Sequence, residues 1–102
     1  MYYIVYMIKY AEEIAKKISN GTIPKSIFLH VNNTFIALNT TKDLNLFDIK
    51  QLKKSKETNR LYYCLRKEKY RAIFYLENGN IFVVALDKRE DIYKNGSNII
   101  TA

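Results

Sequence analysis

The chain has 102 residues, of which 48% are apolar and 26% are charged; this composition excludes a disordered, collagen-like or membrane protein and predicts one domain, residues 1–102. Lysines and arginines number 17 against ten acidic residues, a net charge of +7, which favours a polyanion, an acidic protein or a membrane surface as partner. One cysteine excludes an intramolecular disulfide and favours a cytoplasmic location, and one cysteine with one histidine cannot form a structural zinc site.

The first part of the chain predicts a strand followed by a helix. Residues 2–8 are aromatic and β-branched on both faces, which predicts a strand inside a sheet rather than at its edge. This run is too short to span a membrane and lacks the flanking residues of a signal peptide, so no membrane association is expected. Residues 11–19 carry apolar side chains at helical spacing, and Asn20-Gly21 ends that helix.

A second helix is predicted to begin near Pro24 and to run to about Asn39. Apolar side chains recur there at helical spacing, and a proline in the first turn of a helix costs little. Because β-branched residues and a run of polar residues weaken the pattern, a strand at residues 34–38 is the alternative. Residues 40–46 predict a loop.

The second half predicts an antiparallel meander of three strands. The strands cover residues 61–66, 70–76 and 81–86, with a first turn at residues 67–69. Asn78-Gly79 predicts the second turn, because a type I′ hairpin needs two residues that tolerate positive φ. Helices that precede consecutive strands predict an α+β fold, in which one helical layer covers one sheet face and the other face stays at least partly open.

The excess positive charge is confined to residues 50–71. This stretch holds nine basic and two acidic residues, whereas residues 1–49 carry +1 and residues 72–102 carry −1. A solvated loop and hairpin tip would account for such lysines, but this density is also typical of a phosphate-binding surface. We expect six lysines to bind RNA or phosphate: Lys50, Lys53, Lys54, Lys67, Lys69 and Lys88.

Strand alternation predicts that two arginines lie together. Side chains on a strand repeat every two residues, so Arg66 shares a face with Cys64, and Arg71 shares a face with Ile73. If the turn at residues 67–69 pairs their strands, Arg66 and Arg71 lie side by side. Two guanidinium groups repel each other unless an anion bridges them, and the arginine fork suits phosphate. Replacing Arg71 by alanine is therefore expected to leave the melting temperature unchanged or slightly raised.

Arg89 and Tyr93 follow the last strand at a spacing of four, which places them on one face of a turn or short helix. Tyr93 could stack there on a base; a surface ion pair with packing is the alternative. The sequence has no Gly-rich phosphate loop, paired metal ligands or Ser/His/Asp pattern, so neither a cofactor nor a metal ion is expected. His30 and Cys64 are each expected to be structural.

Residues 48–94 resemble the RelE/ParE toxin superfamily of toxin–antitoxin modules. The resemblance is carried by DIKQLKK and by the strand-and-hairpin stretch that follows, with Leu65-Arg66, a short turn, Tyr70-Arg71, a hydrophobic hairpin, and Arg89 with Tyr93. It implies a compact sheet flanked by two N-terminal helices. For the RelE branch it implies a type II toxin that is neutralised by a cognate antitoxin and cleaves mRNA in the ribosomal A site, by attack of a 2′-OH on the adjacent phosphate.

The resemblance also implies roles for four catalytic residues. Arg71 matches the arginine that family members use on the scissile phosphate, and Arg89 matches one credited with phosphate stabilisation or proton donation. Tyr93 matches a tyrosine that orients or stacks on the substrate, and Arg66 matches a basic position in the same strand pair. Fixed positive charge of this kind stabilises a crowded, anionic transition state.

Departures from the family pattern leave the general base unassigned. Tyr62 and Cys64 stand where RelE-branch proteins often have lysines, and Lys88 stands where many have histidine. The candidates for the base are Lys67, Lys69, Lys88 and Glu90. Two other functions therefore stay open: a ParE-like inhibitor of DNA gyrase that does not cleave RNA, and an RNA-binding module that has lost catalysis.

Overall fold

The structure, a computed structural model, describes residues 7–52 and 60–95, with side chains described as far as Ile92. Its fold is α+β. The elements in chain order are strand β1 (Ile8–Tyr10), helices α1 (Glu12–Ser19) and α2 (Lys25–Thr41), a 3₁₀ turn (Leu44–Leu46), strands β2 (Ile49–Gln51), β3 (Tyr63–Lys67), β4 (Tyr70–Glu77) and β5 (Asn80–Lys88), and helix α3 (Arg89–Asn95).

The first predicted helix is confirmed in α1. Its buried contact is Ile14, while two glutamates occupy its first turn and two lysines its last, an order that complements the helix dipole. The helix ends at Asn20, and Gly21 follows at a φ of +83°. Glycine adopts this left-handed conformation without strain, so the predicted stop at Asn20-Gly21 is also confirmed.

The second predicted helix is confirmed in α2, which follows Pro24. Ile27, Val31, Phe35 and Leu38 form one buried stripe along it. Burial of such a stripe stabilises a helix more than local propensity does, so the alternative strand at residues 34–38 is wrong. The helix continues to Thr41 and a 3₁₀ turn follows, which makes the predicted loop shorter than expected.

The sheet has five strands in the order β1-β5-β4-β3-β2, two more than the predicted meander. Strands β3, β4 and β5 form that antiparallel meander. The two additional pairings are β1 parallel to β5 and β2 antiparallel to β3, so the sheet is mixed. Strand β2 has three residues, which is too short for alternation to mark it in the sequence, whereas β1 overlaps the predicted N-terminal strand at Ile8.

Strand β1 lies at an edge of the sheet as far as the chain is described, whereas the sequence predicted an inner position for residues 2–8. Residues 2–6 of the predicted strand lie outside the described residues. Within β1, Ile8 and Tyr10 pack against the core while Lys9 is exposed. The described part therefore alternates as a one-sided edge strand does, and the apolar run before it hides this alternation in the sequence.

The β4–β5 hairpin has the predicted tight turn. Asn78 and Gly79 take φ values of +53° and +79°, and Glu77 pairs with Asn80 across the turn. These are the angles that a two-residue type I′ turn requires. The turn fixes the register of the two longest strands, and that register decides which side chains share a face.

One face of the sheet, the α1–α2 face, carries the main core. The strands contribute Leu65, Tyr70, Phe74, Val83 and Leu86, and the two helices cover them. Phe35 of α2 meets Phe74 edge to face, with ring centroids 4.9 Å apart. None of the helices in the described part of the chain is long and apolar enough to cross a lipid bilayer.

The opposite face, the α3 face, carries side chains in three rows across the strands. By the register, one end row holds Arg66, Arg71 and Asp87, the middle row holds Cys64, Ile73 and Ala85, and the other end row holds Tyr62, Tyr75 and Phe82. Ile92 of α3 packs against Tyr62 and Ile73. Helix α3 therefore covers part of the face that was predicted to be open.

Candidate active site

The end row of the α3 face brings together the two arginines that alternation predicted. Arg66 of β3 and Arg71 of β4 are directly opposite each other in the register. Directly opposite residues on antiparallel strands have neighbouring side chains. The predicted pairing through the turn at residues 67–69 is therefore confirmed, with Glu68 in the turn at a φ of +53°.

Helix α3 carries a third arginine to the same place. The N–H of Arg89 donates to the backbone carbonyl of Lys69, over 2.8 Å, which ties the start of α3 to the β3–β4 turn. The three arginines line a cleft of about 200 Å³. Its full lining is Lys50, Leu52, Cys64, Arg66, Arg71 and Arg89.

The two paired arginines have separate partners. Arg66 donates from Nε and Nη2 to Oδ1 of Asp48, over 2.8 and 2.6 Å. Arg71 donates from Nη1 to the carbonyl oxygens of Glu68 and Tyr70, each over 2.8 Å. Asp48 and the carbonyl acceptors supply partners for both guanidinium groups without an anion, so they oppose the repulsion on which the expected strain depends.

Arg71 is positioned to bind an anion as well. Both of its described hydrogen bonds use Nη1, which leaves the other edge of the guanidinium fork for an oxygen of a ligand. The side chain is half-buried, so its charge is screened less than that of a fully exposed arginine. Arg71 can therefore hold a phosphate from a fixed position.

Cys64 lies at the floor of the cleft, 4% exposed. Burial raises the pKa of its thiol, and the positive charges of Arg71 and Arg66 offset only part of that rise. Burial therefore favours the protonated thiol, which argues against Cys64 as a nucleophile or a base. This agrees with the structural role expected from the sequence.

The six predicted phosphate-binding lysines occupy different places. Lys50 of β2 lines the cleft, and Lys53 and Lys54 lie outside the described residues. Lys69 is exposed in the β3–β4 turn. Lys67 and Lys88 flank Tyr70 in the register, so they share its α1–α2 face and do not line the cleft.

Lys67 and Lys88 consequently lie on the opposite face of the sheet from the cleft that Arg71 and Arg89 line, which weakens both as candidates for the base. The sequence does indicate which face of the sheet these lysines share. Leu65 and Leu86 are apolar and lie two residues before Lys67 and Lys88, so each lysine is on the same face of its strand as an apolar leucine. Glu90 is exposed in the first turn of α3. His30 is exposed on α2 and is not part of the cleft.

Tyr93 is four residues after Arg89 in α3, which confirms the predicted short helix. Its side chain lies outside the described part of the structure. Sequence reasoning missed Leu52 as a lining residue and Asp48 as the partner of Arg66. Both follow from β2, whose pairing with β3 brings Asp48 to the end row. Within the described ranges no group of three or more His, Cys, Asp or Glu is placed to hold a metal ion.

Two solved structures are similar to this fold. One is a chain of the RelB–RelE antitoxin–toxin complex from Methanococcus jannaschii, 22% identical, with a TM-score of 0.64 over 85% of this chain and 96% of that chain. The other belongs to the archaeal RelE–RelB complex from Pyrococcus horikoshii OT3, 19% identical, with a TM-score of 0.63 over 84% and 97%. No family model matches the sequence, and no curated protein does.

These likenesses cover most of the chain and define a RelE-like toxin fold. They confirm the resemblance inferred from residues 48–94 at the level of the fold. They also extend beyond those residues, because they cover 85% and 84% of this chain.

Proposed function

We propose that this protein is the toxin of a type II toxin–antitoxin module and an endoribonuclease that cleaves mRNA on the ribosome. The observation that carries the proposal is the convergence of Arg66, Arg71 and Arg89 on one cleft, from two strands and a helix. The RelE-like fold supports it, because both similar structures are complexes of RelE with RelB.

The chemistry needs fixed positive charge more than a complete set of acids and bases. A 2′-OH attacks the adjacent phosphorus, the bond to the 5′ oxygen of the next nucleotide breaks, and a 2′,3′-cyclic phosphate and a 5′-OH result. Arg71 binds a non-bridging oxygen, and Arg89 stabilises the charge that develops in the transition state. Orientation of the 2′-OH in line with phosphorus supplies much of the remaining acceleration, and the ribosome contributes to that orientation.

Arg66, Tyr93 and the lysines have supporting roles in this proposal. Arg66 is held by Asp48 and adds positive charge at the rim of the cleft. Tyr93 stacks on the substrate from α3. Lys50, Lys53, Lys54 and Lys69 attract the phosphates that flank the cleaved bond, while Lys67 and Lys88 contribute through the overall field.

The proposed partners are the mRNA on the ribosome and a cognate antitoxin, in the cytoplasm. A toxin with a charge of +7 is matched by an antitoxin that lays an acidic, amphipathic segment over its basic surface. Co-purification from the intact operon tests this partner. Recovery of the protein alone, without toxicity, contradicts the toxin–antitoxin pair.

The decisive experiment for the reaction adds the protein to translating ribosomes and maps the 5′ ends of the mRNA. We expect new 5′-OH ends within A-site codons. Arg71→Ala and Arg89→Ala should each lower the cleavage rate about 100-fold, whereas Lys25→Ala, an exposed change on α2, should not alter it. Intact mRNA with inhibited gyrase identifies a ParE-like toxin instead. RNA binding without cleavage or toxicity identifies an inactive RNA-binding module.

A further inference from the structure

The far end row of the α3 face carries aromatic rings instead of arginines. Tyr75 of β4 lies between Tyr62, which immediately precedes β3, and Phe82 of β5, and its ring contacts both. Tyr75 and Phe82 are half-buried, while Tyr62 is buried. The function proposed above uses none of these rings.

Two cationic side chains lie at the two ends of the stacked pair of rings in this row. The rings of Tyr75 and Phe82 are nearly parallel, 12° apart, with centroids separated by 4.9 Å. The guanidinium of Arg60 lies 4.0 Å from the centroid of Tyr75, and Nζ of Lys9 lies 5.8 Å from the centroid of Phe82. The order across the sheet is therefore cation, ring, ring, cation.

The Phe82 end of the stack is the accessible end. Lys9 belongs to β1, which pairs with β5 and lies at the sheet edge in the described chain. Lys9 is an exposed side chain, and its ammonium lies near the outer limit of a cation–π contact with Phe82. Phe82, by contrast, is fixed from its other side by Tyr75.

We propose that Phe82 is a stacking platform for a base of single-stranded RNA, with Lys9 as the contact for its phosphate. In the bound state the base takes the place of the Lys9 ammonium on the ring, and the ammonium moves to the adjacent phosphate. Exposed aromatic rings on a sheet are a common means of binding single-stranded RNA. Tyr75 holds the platform in place before RNA arrives.

Position and charge favour RNA over an acidic peptide. Tyr75 is four residues from Arg71 on the same face of β4, about 13 Å at the usual strand rise. Helix α3 covers the middle row between them, so a strand of RNA with its cleaved phosphate at Arg71 passes beside that helix and reaches Phe82 with flanking nucleotides. A nucleotide can contact both groups at this end of the stack, because its base stacks on the ring of Phe82 and its phosphate pairs with the ammonium of Lys9. Glu77, 3.9 Å from Arg60, is at the opposite end of the stack from Lys9.

This inference rests on the proposed function for the orientation of the RNA, but binding tests it without cleavage. The probe is a labelled single-stranded 2′-O-methyl RNA, which lacks the attacking hydroxyl, and the readout is its dissociation constant by fluorescence anisotropy at several salt concentrations. Phe82→Leu should weaken binding about tenfold, and Phe82→Tyr should preserve it. Lys9→Gln should reduce the log–log salt slope by about 0.7.

The matched control is Phe28→Leu, the same change at a half-buried ring of the α1–α2 face. Equal weakening by Phe28→Leu and Phe82→Leu, or unchanged binding with Phe82→Leu, overturns the platform. Weaker binding of an acidic antitoxin segment with unchanged RNA affinity also overturns it and assigns the row to a protein partner. Loss of cleavage in Arg71→Ala bears on the proposed function alone, so the two can fail separately.

Discussion

Arg71 donates hydrogen bonds to backbone carbonyl oxygens at the β3–β4 turn, so its replacement should affect the stability of the fold. Arg71→Ala removes two hydrogen bonds to carbonyl oxygens, about 1 kcal/mol of stability in total, so the melting temperature should fall by about 4–8 °C. This reverses the expectation from the sequence. Arg71→Lys should restore part of the activity, since an ammonium carries the charge without the fork. Thermal melts and mRNA end mapping of both variants check it, and a melting temperature at or above wild type would contradict it.

Asp48 restrains Arg66, and its removal should strengthen RNA binding. Asp48→Asn leaves the shape of the side chain but takes away the charge that pairs with Arg66. Because both side chains are more than half exposed, such a pair contributes about 0–1 kcal/mol, so stability should change little. The affinity for RNA should rise at low salt, and the gain should shrink as salt is added. Weaker RNA binding in a folded Asp48→Asn would show that Asp48 positions Arg66 productively.

Cys64 should be slow to react in the folded protein. Its thiol is buried and its pKa is raised, so alkylation by iodoacetamide at pH 8 should be at least about tenfold slower than in the denatured chain.

The raised pKa of the Cys64 thiol also makes the stability of the fold depend on pH. The folded state holds this proton more tightly than the unfolded state, so stability is fully present below the unfolded thiol pKa and falls as pH rises through the folded one. Cys64→Ser should remove that part of the alkaline decline.

At the scale of elements, the β4–β5 hairpin depends on its turn residues. A Cβ added to Gly79 would meet nothing within 4 Å, so crowding does not oppose alanine there. The positive φ of +79° does oppose alanine, and Gly79→Ala should lower the free energy of unfolding by about 1–2 kcal/mol. Urea denaturation measures this loss. Asn78→Gly is the matched control and should be tolerated, because glycine adopts the φ of +53° freely. Unchanged stability in Gly79→Ala would mean that the turn relaxes.

Strand β2 shows what the sequence could and could not predict among the elements. The hairpin, α1 and α2 could be predicted because their signals are local: turn residues, helix stops and apolar spacing. β2 has three residues within a charged stretch, so no periodicity marks it. Its position depends on pairing with β3, and the contact of Asp48 with Arg66 depends on that pairing. The positions of Arg66, Arg71 and Arg89 in the candidate site could therefore be predicted, because these residues adjoin strands that the sequence pattern reveals. The positions of Asp48 and Leu52 could not.

At the scale of the whole molecule, the location of charge should matter more than its total. Lys50→Gln/Lys69→Gln removes one charge from the cleft lining and one from the β3–β4 turn to which α3 is tied, and Lys16→Gln/Lys25→Gln removes the same number of charges from exposed positions on the helices. The first pair should lower the log–log salt slope of binding to single-stranded RNA by about 1.4, and the second should leave it nearly unchanged. Equal slopes for the two double variants would show that the field of the whole protein, rather than the cleft, attracts RNA.

The parallel pairing of β1 with β5 sets the time at which a newly made chain can fold. Ile8 pairs with Ile81, which is made much later. While they leave the ribosome, β1 therefore has no strand to pair with, and the helices after it have no sheet to pack against. Arg89 follows later still. Folding is therefore postponed until nearly all of the described chain has emerged, and for that interval the proposed nuclease is inert. Under the proposed function, an antitoxin that is already present would have this interval to capture the chain as it folds, before cleavage on the ribosome begins.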